Sequence, residues 1–318
     1  MTTHTEPFDV VTVTLNPAID RSVTIRDFAA GRVNRAEQVI SYPGGKGVNV
    51  ASVLADYGHR VAVTGILGSN NSGSFETLFA RKNITDHFVR TPGQTRVGIK
   101  IMDPAKQETT DINFPGPTPR PADLDELRAR VASLDARWFV LAGSLPQGVD
   151  EKIYRDLVQA VKARGYQVAI DTSGEPLRHA LEAAPHLIKP NIHELEAMLG
   201  RRLGDQEAVV EAAQELTTRG IGIVVVSMGR DGACLATRDG VVIARPPEVE
   251  VVSTVGAGDA MVAGLVAGQL RGLSLDDCAR MATAFSLEAL SRIESGLSSP
   301  EAIGKAMTTV TVHRPQYF

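Results

Sequence analysis

WFVLAGSLPQGVDEKIYRDLVQAVKARGYQVAID, residues 138–171, carries the pattern that decides the fold. Trp138 to Ala142 is an apolar run of strand length. Ile153, Leu157, Val158 and Val161 then recur at helical spacing, and Gln167 to Asp171 returns to a short strand. A strand, a helix and a second strand in succession form a βαβ unit with its two strands parallel. The rhythm continues outward. Before it, Leu124, Leu127, Val131 and Leu134 mark a helix. After it come helices around Leu177 to Ala183, Glu194 to Leu199 and Glu207 to Arg219, then the strand Ile223 to Ser227. Toward the N-terminus, Asp9 to Leu15 reads as a buried strand stopped by Asn16-Pro17. Val48 to Tyr57 is helical, Arg60 to Ile66 a strand, and Ser74 to Lys82 a helix. The expected class is α/β, with a mostly parallel sheet covered on both faces.

Short strands interrupt this rhythm before residue 115. Arg21 to Ile25 and Glu37 to Tyr42 alternate in polarity, and Arg96 to Met102 with Thr109 to Phe114 predict a hairpin around Asp103-Pro104. Segments near 21–43 and 95–114 are therefore expected to form a small β lid on one domain spanning residues 1–318. PGPTPRP, Pro115 to Pro121, is the clearest linker. The tail beyond Gly296 shows no readable chemistry.

Composition narrows the partners. The 318 residues carry a formal net charge of -4 and no long Lys/Arg run, which argues against general nucleic-acid binding. Two isolated cysteines, Cys234 and Cys278, fit a reducing cytosol. The N-terminus is unlike a signal peptide, and no apolar stretch approaches the ~20 residues of a membrane span. A cytoplasmic protein is expected. Glycine is mildly in excess, 29 residues or about 9% against a usual ~7%, without matching proline. Such a surplus suggests backbone that must come close to something.

Two glycine-rich segments supply the candidate chemistry. In Val252 to Gly264, VSTVGAGDAMVAG, a Thr and the small residues Gly256, Ala257 and Gly258 precede Asp259 and an apolar helix. Glycines at a helix start let N–H groups converge on an anion that the helix dipole favours. Asp259 then stands at the edge of that anion hole, placed to accept a proton. Alone, the segment also fits a loop with an Asp N-cap. In Tyr42 to Ala51, YPGGKGVNVA, glycines again open a helix, but Gly47 after Lys46 excludes a Walker A loop. Neither segment contains G-x-G-x-x-G, which weakens a dinucleotide-binding reading. His193-Glu194 lacks the second histidine of a zinc pair, and no G-x-S-x-G occurs.

Together these segments resemble the ribokinase-like sugar kinases of the phosphofructokinase B family. The resemblance spans about Asp9 to Gly296. It includes Thr14 to Asp20 (TLNPAID), Ala142 to Pro146 (AGSLP), Lys189-Pro190-Asn191 with Glu194, and Ser227-Met228-Gly229. TLNPAID, GGKG and Thr110 to Gly116 (TDINFPG) bring it nearest to the branch acting on fructose 1-phosphate. The implied fold is a three-layer α/β/α sandwich with a β lid. The implied reaction is transfer of a phosphoryl group from ATP, with Mg²⁺, to the sugar's 6-hydroxyl. Phosphoryl transfer needs in-line positioning, charge neutralisation and a base, with little covalent chemistry by the protein.

The resemblance also implies roles for residues of this chain. Asp259 is the base, and the N–H groups of Gly256, Ala257 and Gly258 hold the transferring group. Asp20 and Asn49 bind the sugar hydroxyls, with Gly44 and Gly45 letting the backbone approach. Lys46 and Arg96 neutralise the phosphate already on the substrate, and Ser144, Lys100 and Asn113 serve the same sugar. Lys189 and Asn191 face the ATP phosphates, Glu194 orders Mg²⁺ through water, and Ser227, Gly229 and Thr254 line the nucleotide groove. Related substrates, tagatose 6-phosphate or fructose 6-phosphate, remain alternatives. So does a non-catalytic sugar-phosphate sensor, although a pure binder needs no base. Exposed lid edges, unless paired, are a liability, so a homodimer through the lid is expected.

Overall fold

The structure, a computed structural model, describes residues 6–106, 108–292 and 296–315. From edge to edge its main sheet runs Thr311–His313, Gly240–Arg245, Ala233–Thr237, Ile223–Ser227, Leu187–Ile188, Gln167–Asp171, Ala136–Ala142, Phe8–Thr14, Val61–Gly68 and Thr85–Asp86. Val89–Thr91 also pairs with Val61–Gly68. From Ile223–Ser227 to Thr85–Asp86 every pairing is parallel; the other three strands join antiparallel. The chain enters in the middle. Phe8–Thr14 pairs with Val61–Gly68 on one side and Ala136–Ala142 on the other, so the winding direction changes between them. Ligands of open α/β sheets bind outside the carboxyl ends of strands at such a point.

Alternation puts apolar side chains on both faces of these strands. Val10 and Val140 join one core layer, with Val50 and Phe75 and the helices Ala257–Leu270 and Leu275–Leu290. Val11 and Phe139 join the other, with Leu127, Leu157, Leu195 and Leu216 from the opposite helices. Full burial of each such side chain contributes about 1.5–3 kcal/mol, so the paired layers fix the register. Helix Ala257–Leu270 is buried almost all round, as its unbroken run of small and apolar residues requires. Trp138, read as core, is 5% exposed, and Cys234 and Cys278 are buried free thiols.

The strands and helices of the regular pattern are present with small shifts at their ends. The tail differs more. Ser299 caps helix Pro300–Thr309 by accepting from Ala302 N, and Thr311–His313 then completes the sheet edge. Ala233–Thr237 and Gly240–Arg245 form a hairpin for which the parallel rhythm gave no signal.

A separate four-stranded sheet has the order Gln38–Gly44, Ala18–Thr24, Arg96–Asp103, Glu108–Asn113. Its inner strand Ala18–Thr24 begins at Ala18 rather than Arg21, which places Asp20 within the pleat, opposite Gly98 and Tyr42. Buried Asp103 anchors its far end by accepting from the N–H groups of Asp27 and Phe28. Among the described residues, no helix is long and apolar enough to cross a membrane.

Candidate active site

The candidate residues meet beyond the carboxyl ends of the parallel strands. Gly256 caps helix Ala257–Leu270 in the left-handed region, φ 78°, where a side chain would be strained. Asp259 lies in the first turn without capping it, which removes the N-cap reading; its side chain is free for other work. That carboxylate is 7% exposed and accepts a 2.7 Å hydrogen bond from Asn49 Nδ2. Asn49 projects from the first turn of helix Lys46–Asp56, which Gly45 caps, so two glycine-opened helices present one pair of side chains.

Burial raises the Asp259 pKa, and the nearby Asp171 carboxylate raises it further. Lys46, the Asn49 bond and Lys189 pull the other way, leaving it at about 6. A carboxylate poised there is ionised at neutral pH yet far more basic than a free aspartate.

Asp171 closes strand Gln167–Asp171 and is fully buried. Its Oδ1 takes Lys46 Nζ at 2.9 Å and lies 3.5 Å from Lys189 Nζ. Burial alone would raise its pKa, but Lys189 and Lys46 together outweigh that and hold it below the usual carboxylate range. Burial would likewise lower the Lys46 pKa; Asp171, Asp259 and Glu194 reverse this and drive it up, so the ammonium stays charged. The expectation placed Lys46 with Arg96 at the phosphate carried by the sugar. The structure instead holds its ammonium on Asp171, 4.0 Å from Glu194 Oε1 and within the field of Asp259.

Of the residues expected to face the nucleotide, Asn191 and Glu194 form a reciprocal cap on helix Ile192–Leu199. Asn191 Oδ1 accepts from Glu194 N, and Glu194 Oε2 accepts from Asn191 N, both at 2.8 Å. The structural use of these two residues leaves Glu194 Oε1 and Asn191 Nδ2 for a ligand. Lys189 is 4% exposed, and a Cβ on Gly258 would come 3.4 Å from its Nζ, so the lysine lies against the Gly256–Gly258 turn. Ser227 N donates to Pro190 O, which sets Ser227 and the Gly229 turn beside Lys189–Asn191; Thr254 is exposed.

The four-stranded sheet supplies the other end. Asp20 is buried, and Gly44 and Gly98 flank it so closely that a Cβ on Gly98 would stand 2.6 Å from Asp20 Oδ1. Burial raises its pKa, partly offset by Lys100 and Arg96. Arg96 Nη1 donates to Asn113 Oδ1 at 3.2 Å, and Arg96 Nε to Asn16 O at 3.3 Å. Lys100 pairs with Asp111 at 3.3 Å. Ser144, exposed on the turn after Ala136–Ala142, accepts from Asn16 Nδ2 at 3.1 Å. Cations therefore gather at two places, Arg96 and Lys100 near Asp20, and Lys46 and Lys189 near Asp259.

The sequence reading gave Asp171 and Asn16 no individual role. An aspartate ending an otherwise apolar buried strand was the available signal for the first, since carboxyl ends of parallel strands hold ligands.

The profile of the pfkB family carbohydrate kinases matches residues 10–302. The 1-phosphofructokinase of Rhodobacter capsulatus is 48% identical over 95% of this chain and 97% of its own length. That of Xanthomonas campestris pv. campestris is 46% identical over the same shares. The structure of Escherichia coli phosphofructokinase-2 with fructose-6-phosphate superposes with a TM-score of 0.85 at 28% identity, covering 95% of this chain and 98% of that one. The tetrameric inhibited form of the same enzyme gives 0.87 at 29% identity, with the same coverage. Matched by that profile over most of its length and 48% identical to a named relative, this chain belongs to the pfkB family of carbohydrate kinases.

Proposed function

We propose that the protein is an ATP-dependent 1-phosphofructokinase, which phosphorylates the 6-hydroxyl of fructose 1-phosphate to give fructose 1,6-bisphosphate. The observation that carries this reading is the buried Asp259, held by Asn49 with its pKa raised to about 6, beside a left-handed glycine turn. Names of relatives support the choice of sugar.

In this mechanism Asn49 and Asp20 orient the sugar so that its 6-hydroxyl faces Asp259, which accepts the proton as the oxygen attacks the γ-phosphorus. The bond from phosphorus to the bridging β,γ-oxygen breaks, and ADP leaves with that electron pair. The N–H groups at Gly256, Ala257 and Gly258 receive the negative charge of the group in flight, aided by the helix dipole. Lys46 stands beside the base and neutralises the same group, while Lys189 and Asn191 hold the donor's phosphates. Arg96, Lys100, Asn113 and Ser144 receive the phosphate already on the sugar; a guanidinium does so in bidentate fashion.

The donor set also fits Mg²⁺. Asp171 Oδ2 is buried without a partner, and Glu194 Oε1 is not used by the cap. Among the described residues no three ligating side chains cluster, as suits a cation that keeps its waters and is carried on nucleotide phosphates. Bound there, the cation would neutralise phosphate charge.

Comparing kcat/KM for fructose 1-phosphate, fructose 6-phosphate and tagatose 6-phosphate tests the reading. Fructose 1-phosphate is expected to lead by at least about tenfold, since a misplaced phosphate forfeits charge-assisted hydrogen bonds worth a kcal/mol or more. Preference for either 6-phosphate would overturn the choice of sugar, and absence of ADP formation with all three would favour a sensor.

The protein is also read as a cytoplasmic homodimer joined through its four-stranded sheet. Val39 and Ile112 stand 56% and 43% exposed on the face opposite Asp20, and Glu108–Asn113 is an exposed edge strand. An apolar face beside an open edge favours association. Light scattering at micromolar concentration should give a dimer or a multiple of one, and Ile112→Asp should lower that mass; a wild-type monomer would refute the assembly.

A further inference from the structure

We infer that Asn16 is a positioning residue for the substrate-phosphate pocket, clasping its two halves across the point where the sheet's winding direction changes. The inference rests on the reading above of Arg96 and Ser144 as phosphate ligands. Asn16 follows strand Phe8–Thr14, and Ser144 follows its parallel neighbour Ala136–Ala142. Asn16 Nδ2 donates to Ser144 Oγ at 3.1 Å and to Leu145 O at 3.5 Å. A main-chain carbonyl can only accept, so the Leu145 contact fixes which end of the amide faces the turn. The main-chain oxygen of Asn16 takes Arg96 Nε at 3.3 Å, and Arg96 Nη1 reaches Asn113. One residue thus touches the two groups that would grip the phosphate, and these come from different sheets.

Asn16 Oδ1 is buried without a partner, and a Cβ on Gly116 would stand 2.5 Å from it. A side chain kept only for stability would be expected to satisfy its acceptor. Here the donor side of the amide is used and the acceptor left over, as fits a group whose purpose is to aim Ser144. With its Oγ occupied as an acceptor by Asn16, Ser144 directs its hydroxyl hydrogen elsewhere, toward an incoming phosphate oxygen. With Nε donating to Asn16 O and Nη1 to Asn113 Oδ1, Arg96 keeps its remaining Nη hydrogens for a phosphate.

The test uses Asn16→Ala, Asn16→Asp, Ser144→Ala and the Asn16→Ala/Ser144→Ala double variant. KM for fructose 1-phosphate, KM for ATP, kcat and the thermal midpoint are measured for each. Asn16→Ala should raise KM for fructose 1-phosphate by about ten- to a hundredfold, the scale of a misplaced binding group, with KM for ATP within about twofold. The double variant should be no worse than the poorer single one, because the two residues act through one contact. Asn16→Asp keeps the volume but lacks the donor, turns the Ser144 hydroxyl toward itself and sets a charge beside the phosphate. It should raise KM at least as far as Asn16→Ala.

Wild-type KM values in Asn16→Ala and Asn16→Asp would overturn the inference, as would single effects that multiply in the double variant. A fall in thermal midpoint without the selective KM change would also overturn it. A wild-type protein inactive on fructose 1-phosphate would instead overturn the functional reading, together with what rests on it.

Discussion

Asp259→Asn should lower kcat by about 10²–10⁴-fold, the usual contribution of a positioned base, with little change in either KM. Asparagine keeps the shape, and its carbonyl still accepts from Asn49 Nδ2, so binding should survive while proton acceptance is lost. The same variant should be more stable than the wild type at pH 7.5. The folded-state pKa of Asp259 is raised above its ordinary value to about 6. Its favourable contribution is therefore complete below pH ~4 and is lost as pH rises through about 6. Above that, the ionised carboxylate costs stability in its dry setting, and removing it recovers the difference. Loss of activity with a raised thermal midpoint is the signature of a site strained for function. Near-normal ADP production by the variant would end the assignment of Asp259 as base.

Asp171→Ala should produce the largest loss of stability. Lys46 and Lys189 both lean on Asp171 Oδ1, at 2.9 and 3.5 Å, and Lys189 is itself 4% exposed. Removing the anion leaves two cations short of their common counter-charge, and breaking a buried pair costs about 3–5 kcal/mol. The Asp171 pKa is depressed in the fold, so this stability is present above the ordinary aspartate range near pH 4 and fades as pH falls through the depressed value. Denaturant titration at pH 7 measures the loss. Asp171→Asn, which preserves volume, separates charge from packing. It should recover part of the stability yet still impair phosphoryl transfer, because Lys46 and Lys189 lose the group that aims them. A midpoint unchanged in Asp171→Ala would show that the lysines are held by something else.

The contrast between these two aspartates shows what a sequence can convey. Asp259 was legible because glycines and an apolar helix frame it, and local chemistry needs only local residues. Asp171 was not, because Lys46 reaches it from a helix start far away in the chain and Lys189 from the end of the neighbouring parallel strand. Its own neighbours describe only a strand end. Most of the fold was readable for the same reason that Asp259 was: Val10 and Val11 face opposite layers, and period-two burial on both faces leaves a continuous apolar run. The tail strand Thr311–His313 was missed because its pairing is tertiary, whereas the edge hairpin Ala233–Arg245 is local, and its Asp239-Gly240 turn between apolar runs was the signal available for it. Lys46 is the instructive case. Its place in GGKG suggested a phosphate ligand, but only the helix start at Lys46 and the end of strand Gln167–Asp171 show that its ammonium rests on Asp171.

The most direct measurement is the pH dependence of kcat/KM for the wild-type protein with fructose 1-phosphate, which reports the essential base of the free enzyme. Transfer to the 6-hydroxyl with an acid limb near pH 6 is the expected result. A limb near pH 4, where an ordinary aspartate titrates, or no transfer to this sugar at any pH, would contradict the account.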